Sequence, residues 1–251
     1  MSNLVLSDFA TIENNNGMNI NSYSTPTQLQ VIMTFNNGDS LNSTVDLNFL
    51  TDCLVESIVI GGGGGGGGVG NGNIYGPTRG GGGGGGALCN GTFYVNMNKT
   101  IQFTVGNKGV VNYESAQDFK PNGNSSSIYD DSNQLILCGG GGGCPSNYSF
   151  PYDYSGGAGG DVTLGADVTG VFTSSGSTGG SCVNQALTTN GGTSDWTTKY
   201  ANNTVTLPIL DSASEFFNSP VDGETEPYPN SDIVYSGNGG GAGYYTTKNN
   251  A

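Results

Sequence analysis

The chain has 251 residues, of which 46 are glycine and only 10% are charged, against about 25% in an ordinary globular domain. Its net charge of −14 comes from 20 acids set against five lysines and the single Arg79, and there is no histidine. A surface that neutralises nucleic-acid phosphates needs clustered Lys/Arg, and anionic membranes repel so acidic a chain. Without histidine no Ser-His-Asp or Cys-His pair exists.

Residues 1–28 are polar and Asn-rich and read as an N-terminal arm or attachment segment. Met1-Ser2-Asn3-Leu4-Val5-Leu6 offers neither a basic region nor a long apolar one, so no secretory signal is expected. Apolar patches such as Ile58-Val59-Ile60 are far too short to cross a bilayer. Residues 29–251 read as a single glycine-rich domain. It has a strand lead-in over 29–60, a polyglycine and hairpin core over 61–210, and an acidic loop with a terminal Gly/Tyr segment over 211–251.

The lead-in holds an apolar strand, Leu29 to Phe35, the turn signal Asn36-Asn37-Gly38-Asp39, and Val45, Leu47 and Phe49 alternating with polar residues. Val55 to Ile60 then runs straight into Gly61 to Gly68, and a second glycine run spans Gly80 to Gly86. Beyond it Phe93, Val95 and Met97 alternate, Asn98-Lys99 offers a two-residue turn, and Ile101, Phe103 and Val105 alternate again, which predicts a hairpin. Gln134 to Cys138 repeats the passage from strand into glycine, followed by shorter glycine segments near 139–143, 156–160, 176–180 and 239–243. Thr204 to Leu207 is a later strand candidate. Helical periodicity is nearly absent, with one turn expected over Ser212 to Asn218.

Glycine runs have two readings, because glycine loses the most backbone entropy on ordering and usually marks a flexible linker. Linkers are commonly Gly/Ser mixtures between domains, whereas these runs recur after apolar strands. The structure that needs glycine on every face is a three-residue-per-turn helix surrounded by like helices, whose peptide groups hydrogen-bond sideways. At about 3.1 Å per residue, eight glycines span roughly 25 Å. A slab of such helices has a core made of backbone, so Gly64→Val is expected to damage folding.

Five cysteines, Cys53, Cys89, Cys138, Cys144 and Cys182, lack C-x-x-C spacing, and small buried thiols are the expected reading. If the run between them is extended, Cys138 and Cys144 lie roughly 19 Å apart, beyond disulfide reach, although each can still meet a cysteine from another strand. The acidic stretch 211–232 carries no ligand spacing such as an EF-hand loop and reads as a solvated loop. No glycine run ends in the Gly-Lys-Ser/Thr of a phosphate loop. No enzyme, metal site or cofactor is expected.

The order of parts resembles a known family. Apolar strand, glycine run, variable loop, glycine run, Thr104-Val105-Gly106-Asn107-Lys108-Gly109, Asn122-Gly123-Asn124-Ser125-Ser126, and Leu135-Ile136-Leu137-Cys138 entering further glycines resemble the glycine-rich domain of virion surface proteins. By pattern this includes tail-fibre adhesins of T-even-like phages, surface proteins of large DNA viruses, and the extracellular glycine-rich region of anaplastic lymphoma kinase-type receptors. The resemblance covers about residues 29–245. It implies a mostly irregular/β fold with almost no α-helix: a bundle of packed polyglycine II helices with β-hairpins and long connecting loops.

It also implies a rigid structural protein of the virion surface, a fibre or capsid-decorating component whose loops contact a host receptor or neighbouring virion proteins. In the phage adhesins the loops between glycine segments carry receptor specificity. The loops in matching places are Asn147 to Tyr154, with Tyr148, Phe150, Tyr152, Asp153 and Tyr154, and Asn71 to Arg79, with Tyr75 and Arg79; Trp196 and Tyr200 form a third candidate. Aromatic rings with hydrogen-bonding ends suit a host glycan or protein surface, and they equally suit folding back over the slab. The competing class is a non-viral extracellular structural or ice-binding protein. The strict three-residue threonine spacing of an ice-binding face is missing.

Overall fold

The computed structural model describes residues 4–24, 29–35, 42–64, 83–109, 122–131, 133–142, 157–176, 182–183 and 186–187. Thirteen strands lie among them: β1 (Ala10–Asn16), β2 (Met18–Ser24), β3 (Leu29–Phe35), β4 (Asn42–Phe49), β5 (Cys53–Ile60), β6 (Leu88–Val95), β7 (Thr100–Gly106), β8 (Ser126–Asp130), β9 (Asn133–Cys138), β10 (Val162–Leu164), β11 (Thr169–Ser174), β12 (Cys182–Val183) and β13 (Ala186–Leu187). A 3-10 turn, Leu6–Asp8, is the one helical element among the described residues, so the fold is mostly β with almost no helix.

The strands build two main antiparallel sheets. One is six-stranded in the order β1-β4-β7-β8-β9-β10, and the other is three-stranded in the order β11-β6-β5. Strand β4 shows why: Ser43, Val45, Leu47 and Phe49 are buried while the residues between them are half-exposed, the period of a one-sided strand. Its register sets Val45 opposite Phe103 and Leu47 opposite Ile101 on β7. The three-stranded sheet packs over β8 and β9. Phe93, Val95 and Val59 from one sheet meet Ile101, Ile128, Ile136 and Leu47 from the other in a single core. Each such side chain contributes about 1.5–3 kcal/mol on burial.

The hairpin expected around Asn98-Lys99 does not form. Strand β6 pairs with β5 and β11, whereas β7 pairs with β4 and β8, so the chain crosses from one sheet to the other. Asn98 takes a left-handed conformation at φ 66°, and its N–H donates to Phe49 O at 2.7 Å, which ties the crossover to the end of β4. Alternating apolar residues look the same whether two strands pair edge to edge or face each other across a core. Hairpins form instead at β2-β3 and β8-β9.

The N-terminal residues enter this architecture as well. Strand β1 pairs along β4 and forms one edge of the larger sheet. The hydroxyl of buried Ser43 donates to Gly17 O, where Gly17 turns at φ 68° between β1 and β2. The turn expected at 36–39, the strand at 204–207, the helical turn at 212–218, and the glycine and acidic stretches after residue 187 lie outside the described residues.

Candidate functional site

Strands β5, β7, β9 and β11 leave the sheets at their C-terminal ends, into 61–64, 107–109, 139–142 and 175–176 respectively. Strands β6, β8 and β10 are entered at their N-terminal ends, from 83–87, 122–125 and 157–161. Neighbours in both sheets are antiparallel, so all these extensions emerge from one end of the sandwich. They keep the order of their parent strands. One layer holds 107–109, 122–125, 139–142 and 157–161, and the other holds 175–176, 83–87 and 61–64.

Side chains hold facing sheets about 10 Å apart, and without side chains the two layers close until their backbones bond. Within a layer, Gly61 N–H donates to Ala87 O at 2.9 Å and Gly123 N–H to Gly141 O at 2.8 Å. Between layers, Gly62 N–H donates to Asn124 O at 2.9 Å, Gly84 N–H to Gly142 O at 2.8 Å, Gly141 N–H to Gly62 O at 2.8 Å and Gly160 N–H to Gly85 O at 2.9 Å. Segment 61–64 therefore bonds to 83–87, 107–109, 122–124 and 139–142 together, which no strand in a flat sheet does. Donors to one neighbour recur every three residues. Gly61 and Gly64 both donate to 83–87, Gly84 and Ala87 to 139–142, and Gly139 and Gly142 to 157–161.

This packing explains why glycine is needed. A Cβ placed on Gly61, Gly64, Gly84, Gly123 or Gly141 would lie closer than 3.0 Å to a backbone oxygen of the neighbouring segment, and a backbone cannot rotate away. The two alanines here mark the limits of the rule: Ala158 is exposed, and Ala87 sits where the layers open into the side-chain core.

At the far end of the layers Gly64, Gly84, Gly142 and Ala158 are joined in sequence by backbone hydrogen bonds, and Gly109 bonds to Gly63. The described ends that flank residues 65–82, 110–121 and 143–156 therefore lie side by side. That shared end is the candidate site. Segments 61–64, 83–86 and 139–142 carry no side chain, and the described scaffold offers the exposed polar side chains of Lys108 and Asn122 beside that end. Aromatic recognition chemistry there has to come from the connections between the segments.

Tyr75 and Arg79, Tyr148, Phe150, Tyr152, Asp153 and Tyr154, and Trp196 and Tyr200 lie outside the described residues. Their loops' anchors are described, for the first two groups, as Gly64 with Gly83 and Gly142 with Gly157. Local sequence patterns do not reveal that both anchor pairs share one end. The signal for it is that successive extensions alternate between leaving and entering strands.

The family comparison agrees with this architecture. A family model described as a glycine-rich domain matches residues 40–251. The chain belongs to that family. In this glycine-rich domain the match includes both layers and all the connections between them. Comparison with curated proteins and with solved structures found no match.

Among the described residues no group of three or more Cys, Asp or Glu is arranged to hold a metal ion, and no helix is long and apolar enough to cross a membrane. Lys99 and Cys53 are titratable groups with clear shifts that lie away from the shared end. Lys99, at the opposite end of the sandwich, is raised above its usual value by a hydrogen bond to Asp131 at 3.1 Å and by the charges of Asp130 and Asp131. Burial, together with the nearby Asp52 carboxylate, raises the Cys53 thiol.

Proposed function

We propose that this protein is a structural component of a virion surface, a fibre or capsid-decorating part whose loops contact a host glycan or protein receptor or neighbouring virion proteins. In this reading the glycine segments are polyglycine II helices. Hydrogen bonds recurring every three residues and reaching several neighbours support that assignment. The observation that carries the function is the gathering of loop anchors at one end of a scaffold built mainly from backbone. Fixed anchors reduce the entropy that loops lose on binding. The scaffold contributes presentation, and the loop side chains contribute recognition.

Within this proposal Tyr148, Phe150, Tyr152, Asp153 and Tyr154 make the principal contact surface, Tyr75 and Arg79 the adjoining one, and Trp196 and Tyr200 a third. Catalysis, a cofactor, nucleic-acid binding and membrane insertion have no part in it.

Immunogold electron microscopy of particles from the source organism, with antibodies against the folded chain, tests the assignment. Labelling at fibre tips or over the shell supports it and separates the two placements; particles without label overturn it in favour of a non-viral extracellular material. With labelled particles in hand, Tyr148→Ala combined with Tyr152→Ala is expected to weaken attachment to host cells about tenfold while leaving the unfolding midpoint unchanged. Unchanged attachment would remove residues 147–154 from the contact surface.

A further inference from the structure

Two thiols face each other where the side-chain core gives way to the glycine layers. Cys89 on β6 and Cys138 on β9 are both 0% exposed and belong to opposite sheets. A Cβ on Gly91 would touch Ile136 Cδ1 at 3.4 Å, so Gly91 faces Ile136 across the core. Strand β6 runs away from the glycine layers and β9 runs toward them, so two residues along, Cys89 faces Cys138. One step further the backbones themselves meet, with Ala87 N–H donating to Gly139 O at 2.9 Å. The pair thus lies where the separation between layers passes from direct backbone bonding to about 10 Å. A disulfide needs Cα atoms about 4.4–6.8 Å apart, which falls inside that interval.

We propose that Cys89 and Cys138 are a modification site, closing to an inter-layer disulfide when the folding chain meets a low-molecular-weight disulfide such as oxidised glutathione. The thiolate of one cysteine attacks one sulfur of glutathione disulfide and expels a glutathione thiolate, leaving a mixed disulfide on that cysteine. The other cysteine, having given up its proton, attacks the protein sulfur of the mixed disulfide and expels the second glutathione. Two protein thiols are oxidised by two electrons, glutathione disulfide is reduced to two thiols, and the two protons end on them.

Cys138 Sγ donates to Val59 O at 3.3 Å, and burial helps push its thiol above the usual value. Both cysteines border glycine runs in the sequence: Cys89 follows Gly86 after Ala87 and Leu88, and Cys138 stands directly before Gly139.

The test is peptide mapping of the full chain, refolded from the reduced, denatured state into glutathione buffers of stepped ratio. Free thiols are alkylated in denaturant before digestion with trypsin and chymotrypsin. A second preparation, expressed in an oxidising bacterial cytoplasm, gives the same readout without refolding. A peptide linking Cys89 to Cys138, with Cys53 still alkylated, is expected in both. Alkylation of both Cys89 and Cys138 in the folded protein at every ratio, or pairing of either with Cys53, Cys144 or Cys182, would overturn the proposal.

Discussion

The sandwich and the glycine layers are continuous pieces of the same strands, yet their interiors are built on opposite terms. In the sandwich, water is excluded by Val45, Ile101, Ile136 and their neighbours, and the backbones bond only to strands of their own sheet. In the layers there is nothing apolar to bury beyond the backbone, and peptide groups bond both within and across layers. The difference shows that a dry interior requires only that each polar group find a partner and that space be filled. Side chains are one way to fill it, and closer approach of the chains is another.

This contrast predicts an inverted response to size. In the layers one added carbon should do as much harm as several removed from the sandwich. Gly64→Val is expected to abolish cooperative folding, and Gly84→Ala to lower stability by about 3 kcal/mol or more, since the obstruction is backbone in each case. Urea unfolding followed by circular dichroism reads both, and a midpoint like that of the parent chain for either would break the idea of a backbone core. Ile136→Ala, which leaves a cavity in the sandwich, should cost about 2–5 kcal/mol, and Ile136→Val about 1 kcal/mol. If the Ile136 series proves insensitive while Gly84→Ala is severe, stability resides in the layers alone. Ser43→Ala removes the hydroxyl that meets Gly17 O, with an expected loss of about 1 kcal/mol in the same assay.

The smallest effect is expected at Lys99, an exposed pair far from both interiors. Its proton affinity is raised in the folded chain, so whatever it contributes is fully present below the ordinary lysine value of 10.5 and is lost as pH rises through the higher folded value. Thermal melts of the parent and Lys99→Gln should differ slightly near neutral pH and converge in strong alkali. A gap that widens with pH would show the sign to be wrong.

Much of this is legible in the sequence, because alternation at Val45, Leu47 and Phe49 and the passage of Ile60 and Cys138 into glycine are direct statements of strand and core. Strand β1 is not, since Thr11-Ile12-Glu13-Asn14-Asn15-Asn16 is exposed and its pairing depends on β4 rather than on its own residues. The crossing at Asn98 looks like a hairpin because inward-facing apolar residues on β6 and β7 serve one core from opposite sides. The shared end of the loop anchors follows from strand direction, which no local pattern encodes. The aromatic side chains proposed for recognition stand out by their chemistry alone.

A run of identical residues carries no address. Gly61 to Gly64 offer identical atoms to their neighbours, so nothing in the run can specify which glycine bonds to which. Among the described residues the address is written where Ile60 lies opposite Leu88 and Cys138 opposite Ser126. The sandwich therefore acts as the ruler from which each glycine segment is measured out. The ends at Gly64, Gly84 and Gly142 thus take their level from side-chain pairings several residues away.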